Sequence, residues 1–425
     1  MVMSLLASLL LAQAPGLGLE DLLAQVDTAN PSVRAAQLRV VAARGGVTRA
    51  RVPEEPVVSV QVEEVPTDPR TWMEPSSALA APLVSAQAGV MVPITGMPFL
   101  KAQMAEAMVA MARADEKMAR IGLRRAARVA FWDLWLNGEA QRINREAGHT
   151  LEAIEQSALA QYASGRSMHH GVLRVQAERE AIKTEMLVLQ QQRATLSAII
   201  NALRATPDAP VGNPSARMTP RRPYDVNQLF ALAVAGRPEL AMSRAAQKSA
   251  NAEATMARRS LLPDPMLMVM AETRPGEMPD AKMGPAVPMT PMIGAGISIP
   301  LPIFAPWRQL QDVDIARARA RAAVEDARAA ELRIHAEIQA AVSRITTSEQ
   351  REDLILSALE PRAREALDAA QAALAAGEAS ALEVLESRRQ LQGIELELVT
   401  VRAEREAALA ELDAAIGHLD ERTVP

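Results

Sequence analysis

Two periodicities alternate along the chain. In Val58-Ser59-Val60-Gln61-Val62-Glu63 the apolar residues take every second position, and Ile293, Ala295, Ile297, Ile299 and Leu301 alternate in the same way with Gly294, Gly296, Ser298 and Pro300. A period of two gives a strand one apolar face. It predicts strands over about 57–64 and 292–301, partnered across long Pro-rich loops by strands over 86–94 and 265–272. After each pair the period lengthens. Val175, Ile182, Leu189, Leu196 and Leu203 recur every seven residues, and Val172, Met186 and Ile200 keep that spacing with Arg179 and Arg193 between them. Val384, Leu391, Leu398 and Leu412 share one register in the second half. A seven-residue repeat predicts long helices in left-handed, coiled-coil-like packing. No proline falls between Phe99 and Thr206, so the leg 99–164 would measure roughly 100 Å if continuous and must pack lengthwise. Each long leg turns at a glycine, Gly165 or Gly377, suited to a left-handed helix terminus. In the second half Pro361 predicts a kink or break.

The chain also repeats itself. Residues 22–50, with Asn30-Pro31, are echoed by residues 229–257, with Arg237-Pro238-Glu239-Leu240. Ala88-Gly89-Val90-Met91-Val92-Pro93 is echoed by Ala295-Gly296-Ile297-Ser298-Ile299-Pro300, and both echoes lie 207 positions apart. One offset for both means two copies of one unit. The first repeat covers 19–206 with a helical hairpin over 99–206, and the second covers 225–418 with a hairpin over 307–417. Between them, 207–224 is a linker marked by Pro207, Pro210, Pro214, Pro220 and Pro223. Two strand pairs cannot close a barrel, but several identical chains could. Strands with one apolar face suit a closed barrel in lipid; a soluble sheet packed on protein is the other reading of the alternation.

Composition narrows the choice. Of the 425 residues only 2% are aromatic, and Ala, Leu, Glu, Arg and Gln dominate whole stretches, as in long packed helices. The net charge of -5 is modest and Arg alternates with Glu, so nucleic acid is not an expected partner. Without cysteine there is no disulfide, thiolate metal site, Cys nucleophile or lipid-bearing Cys. The apolar run Leu5–Leu11 is too short to span a bilayer and precedes Ala12-Gln13-Ala14, which makes residues 1–14 an expected signal peptide. No Ser/His/Asp order, GxxxxGK[ST] or HExxH occurs, so no catalytic residue or cofactor is assigned.

The duplicated strand pair and hairpin, the Asn-Pro and Arg-Pro-Glu-Leu steps, the A-G-x-x-x-P strands and the tip glycines resemble the TolC family of outer-membrane efflux proteins. The resemblance spans roughly residues 19–417. It implies a mainly α fold with a small β contribution: a trimeric α/β-barrel duct. A twelve-stranded barrel in outer-membrane lipid would continue as a periplasmic α-helical tunnel. It implies a homotrimer and a passive exit duct with no enzymatic activity. The partners implied are a periplasmic adaptor (membrane fusion) protein and an inner-membrane pump of the RND type, with heavy-metal cations among the cargoes. A soluble periplasmic coiled-coil adaptor or structural hairpin protein is the alternative, although adaptors carry one hairpin and this chain has two.

On the same resemblance Glu383 and Glu386 occupy the place of acidic constriction rings, beyond the tip glycine. Their i, i+3 spacing puts both on one helix face, and a symmetric carboxylate ring selects cations; plain solvated glutamates are the other reading. The tips Gly165-Arg166-Ser167 and Gly377-Glu378-Ala379-Ser380 match the surface presented to the adaptor. Met168, His169 and His170 are metal candidates, but adjacent His side chains on a helix diverge by about 100° and chelate one ion poorly. Thioethers favour Cu(I) or Ag(I). That adds Met278, Met283, Met289 and Met292, whereas Met266, Met268 and Met270 are expected to pack on one strand face in lipid or core.

Overall fold

The computed structural model describes residues 16–63, 65, 83–164, 169–273, 277–278, 287–288 and 291–417, without the side chains of 277, 278, 287 and 288. The expected signal peptide, Gly165, Arg166, Ser167, Met168, Met283 and Met289 lie outside the described residues, as does the side chain of Met278. In chain order the elements are β1 (Leu17–Gly18), α1 (Leu19–Ala29), α2 (Pro31–Arg51), β2 (Val57–Glu63), β3 (Leu83–Met91), α3 (Met97–Ala163) and α4 (His169–Leu203). The second half follows with β4 (Pro214–Ser215), α5 (Val226–Gly236), α6 (Pro238–Arg259), β5 (Met266–Thr273), β6 (Glu277–Met278), β7 (Val287–Pro288) and β8 (Met292–Ser298). It ends with α7 (Gln309–Leu354), a π turn (Ile355–Leu359), α8 (Glu360–Ala376) and α9 (Ala381–Ile416).

The expected strand over 86–94 instead spans Leu83–Met91. Pro93 has no amide for the ladder, and residues 92–96 turn toward α3, with Ile94 N–H on Val92 O and Gly96 N–H on Pro93 O. The strand expected over 292–301 stops at Ser298, ahead of Pro300 and Pro302. Pro361 does not break the helix. It is the second residue of α8, directly after the π turn, whose wider i→i+5 bonds open the ladder where the proline amide is missing.

The chain forms two compact units. One comprises Met1–Leu38, Ala114–Leu240 and Ala329–Pro425; the other comprises Arg39–Arg113 and Ala241–Arg328. In the first unit the sevenfold spacing is realised as burial. Val175, Ile182, Val384 and Leu391 join Leu151, Ile154, Leu367 and Leu374 in a core contributed by α3, α4, α8 and α9. Two further cores repeat each other: Leu22, Leu23 and Val26 of α1 pack with Phe131, Trp132 and Leu134, while Leu229 and Ala233 of α5 pack with Ile334, Ile338 and Leu412.

The row Val384, Leu391, Leu398, Leu412 has Arg405 in its remaining place, 3% exposed. Its guanidinium reaches Glu349 Oε1 at 2.9 Å, Glu406 Oε1 at 2.9 Å and the Thr219 carbonyl at 2.8 Å. Glu406 in turn accepts from Thr219 N at 2.9 Å and Thr219 Oγ1 at 2.7 Å. The linker is thereby fixed to α9 by a buried ion pair whose polar atoms are bonded, the condition under which such a pair is tolerated.

The second unit contains one four-stranded antiparallel sheet in the order β2-β3-β5-β8. The central β3–β5 pairing joins the two sequence repeats. At its end Asp264 accepts from Thr95 N at 2.9 Å and Thr95 Oγ1 at 2.8 Å, and Arg259 donates to the Thr95 carbonyl at 3.0 Å.

Candidate functional site: a two-faced sheet and the ends of two hairpins

Register decides which side chains share a face, because residues directly opposite point the same way. Val58, Val60 and Val62 stand opposite Ala88, Ala86 and Val84. Ala86, Ala88 and Val90 oppose Ala271, Val269 and Leu267, which in turn oppose Ile293, Ala295 and Ile297. One face is therefore apolar across all four strands, with Thr273 opposite Val84 at its margin. It is also uncovered: Val58 is 71% exposed and Ile293 81%, and Val60, Val62, Val90, Leu267, Val269 and Ile297 are all exposed. Burying each such side chain is worth roughly 1.5–3 kcal/mol. Eight of them left in water forgo on the order of the whole stability of a domain, and a contiguous patch of this kind marks an interaction surface.

The opposite face carries Val57, Ser59, Gln61 and Glu63, then Leu83, Ser85, Gln87 and Gly89, then Met266, Met268, Met270 and Glu272, then Gly294, Gly296 and Ser298. This corrects the expectation that Met266, Met268 and Met270 pack in lipid or core. They alternate with Leu267, Val269 and Ala271, so they take the polar face and are half-buried there. Met91 opposes Met266, and Met292 opposes Glu272, which makes five thioethers on that face. Both outer strands, β2 and β8, keep an open edge within the sheet.

At the ends of the hairpins, Gly377 adopts φ +79° and closes α8, with Glu378 N–H bonded to Ala373 O at 2.9 Å and Gly377 N–H to Leu374 O at 3.1 Å. Glycine is required there because other residues enter this region at a cost. Ser380 is the N-cap of α9, and its hydroxyl donates to Glu383 Oε1 at 3.1 Å. Glu383 and Glu386 are both exposed, on the side of α9 away from buried Val384, Leu385 and Arg388. Glu386 lies near Arg389, whose guanidinium grips Glu178 of α4 through two nitrogens, Nε at 2.7 Å from Oε1 and Nη2 on Oε2. That hydrogen bonding to Glu178 raises the Arg389 pKa, with Glu386 adding a smaller electrostatic contribution. The Ser380–Glu383 bond and the Arg389–Glu178 clamp were not read from the sequence; the Ser-x-x-Glu spacing is the signal that would have found the first.

His169 and His170 are exposed, and the His169 ring lies 5.1 Å from that of Tyr162. Among the described residues no three His, Cys, Asp or Glu side chains are grouped to hold a metal ion. No helix among the described residues is long and apolar enough to cross a membrane.

The family described as outer membrane efflux protein matches residues 229–418. No curated protein matches the chain. Among solved structures, the outer membrane protein VceC from Vibrio cholerae is 20% identical with a TM-score of 0.78, over 94% of this chain and 96% of that one. The outer-membrane channel OprN is 17% identical with a TM-score of 0.78, over 94% and 89%. CusC, solved for its folding and transmembrane channel formation, is 17% identical with a TM-score of 0.77, over 94% and 91%. The fold is that of these α/β-barrel channels.

Proposed function

We propose that this chain, whose residues 229–418 match the family described as outer membrane efflux protein and whose fold is that of solved outer-membrane channels, is the exit duct of a tripartite efflux system. Three copies close one barrel in the outer membrane, and their hairpins form the periplasmic tunnel. An inner-membrane pump, of the RND type, delivers cargo through a periplasmic adaptor that meets the hairpin tips, including Gly377, Glu378 and Ser380. Glu383 and Glu386 line the constriction. Heavy-metal cations are among the cargoes, a reading favoured by the methionines of the polar sheet face.

The observation that carries this reading is the two-faced sheet with two open edges. A lone antiparallel sheet with eight exposed apolar side chains on one face and free strands at both sides is incomplete. Four strands alternate in direction, so β8 of one copy meets β2 of the next in the same antiparallel sense, and the contact repeats until a ring closes. In lipid a closed barrel is the β structure that leaves no backbone group unpaired.

Cell fractionation and planar-bilayer recording test the proposal together. The expected result is a heat-modifiable trimer in the outer-membrane fraction that conducts ions when reconstituted. A soluble monomer without channel activity would refute it and favour a periplasmic hairpin protein.

A further inference from the structure

We propose that the methionine face of the sheet binds soft monovalent cations, Cu(I) or Ag(I), at a site centred on Met266 and Met268. The proposal rests on the duct reading, in which this face looks into the channel and meets what passes through it.

The geometry brings two of these side chains over one glycine. Side chains on one face of a strand are about 6.6 Å apart along it, and a methionine with three rotatable bonds can span that distance. A Cβ built on Gly89 would lie 2.8 Å from Met266 Cε and 3.5 Å from Met268 Cγ, so both side chains converge above a residue that has none. Met268 extends on toward Gly296, where its Cε would be 3.7 Å from a built Cβ, and Met270 covers Gly294 in the same manner. Gln87 Nε2 donates to Met268 Sδ at 2.7 Å, so the sulfur lone pair is turned toward a polar partner and away from an apolar pocket. An arriving cation would take that donor's place.

The donor set selects the ion. Thioethers are soft ligands that hold Cu(I) and Ag(I) and bind hard cations weakly. The nearest carboxylate on this face along the strand, Glu272, stands opposite Met292 at the other end of the row. Covering a glycine accounts for a long apolar side chain, but leucine would serve as well. What leucine lacks is sulfur, and that makes the substitution a clean discriminator.

The test uses the full-length trimer in detergent, titrated with silver nitrate in chloride-free buffer by calorimetry, with bound silver counted by mass spectrometry. Wild type should bind at least one Ag(I) per chain. The M266L/M268L double variant should bind at least tenfold more weakly while it still assembles as a trimer; M108L/M111L, altered on α3, should bind like wild type. The proposal is overturned if wild type takes up no Ag(I), if M266L/M268L binds as tightly as wild type, or if M108L/M111L loses as much. A protein that binds Ag(I) but never conducts would overturn the duct reading alone, whereas a conducting channel with unaltered silver binding in M266L/M268L would overturn only this proposal.

Discussion

Asn30 and Arg237 stand 207 positions apart and do one job with different chemistry. Each closes an eleven-residue helix and leads into the next, with φ/ψ of -69°/124° and -70°/122°. Asn30 Nδ2 donates to the Leu203 carbonyl at 2.8 Å, at the end of α4, and Arg237 Nη1 donates to the Ala415 carbonyl at 2.9 Å, at the end of α9. Helix C-termini leave carbonyls without partners, and here the start of each repeat supplies the donor for its end. Gly417 makes the second contact possible: at φ +85°, a Cβ there would lie 2.8 Å from Arg237 Cα.

Removing either donor should therefore loosen a whole repeat. Asn30→Ala is expected to cost about 1–2 kcal/mol, as for a lost bond with a carbonyl left unpaired. Arg237→Ala should cost more, because Arg237 also pairs with Glu239 at 2.9 Å and Glu337 at 2.7 Å. Chemical denaturation of purified protein would measure both; equal, negligible losses would remove the shared role.

Asp264 accepts from both donors of Thr95, which is buried. Asp264→Ala leaves two donors unpaired and should destabilise the sheet by about 2–4 kcal/mol. Amide hydrogen exchange should rise first along β3 and β5, and a rise confined to the helices would contradict the assignment.

Acid should weaken the linker attachment. Burial raises the pKa of Glu352, but its bonds to Arg402 and Arg221 outweigh that and hold it below the usual carboxylate value. A carboxyl depressed in the folded state adds stability that is present above its unfolded pKa and is lost as pH falls through the folded one. Wild type should lose more stability than Glu352→Gln between about pH 5 and pH 3. Parallel pH profiles for the two proteins would exclude Glu352 as the cause.

The paired carboxylates near the tip set a functional expectation. Replacing Glu383 and Glu386 together by Ala should lower cation selectivity severalfold in bilayers, since a ring of carboxylates concentrates cations at a constriction. Glu383→Ala also removes the acceptor of the Ser380 hydroxyl, so Glu383→Gln, which retains an acceptor, separates charge from capping. Unchanged selectivity in the double variant would remove the constriction role.

Much of this architecture was legible in residue spacing. The echo at 207 positions gave two copies, and the sevenfold rows gave the buried seams that Val175, Ile182, Val384 and Leu391 occupy. Strand order was not legible, because β3 pairs with β5 from residues far apart in sequence, Met91 with Met266 the nearest, by backbone bonds that carry no side-chain signature. The sulfur-bearing face was misread for the same reason: alternation says that Met268 and Val269 point opposite ways, but only register says which neighbours each joins. Arg405 could have been found, since the row 384, 391, 398, 412 leaves one vacant place and a charged residue fills it. Its partners Thr219 and Glu349 could not, because both are distant in sequence.

In the proposed duct the sheet edges of different copies pair to close a ring of three. The chain has no native cysteine, so single pairs placed in β2 and β8, scanned around Val60→Cys with Ala295→Cys, report that contact without background. Oxidation in outer membranes should give covalent dimers and then trimers as the largest product, with channel conductance retained. Failure of every pair to cross-link, or an open ladder of products beyond the trimer, would contradict a closed three-copy barrel.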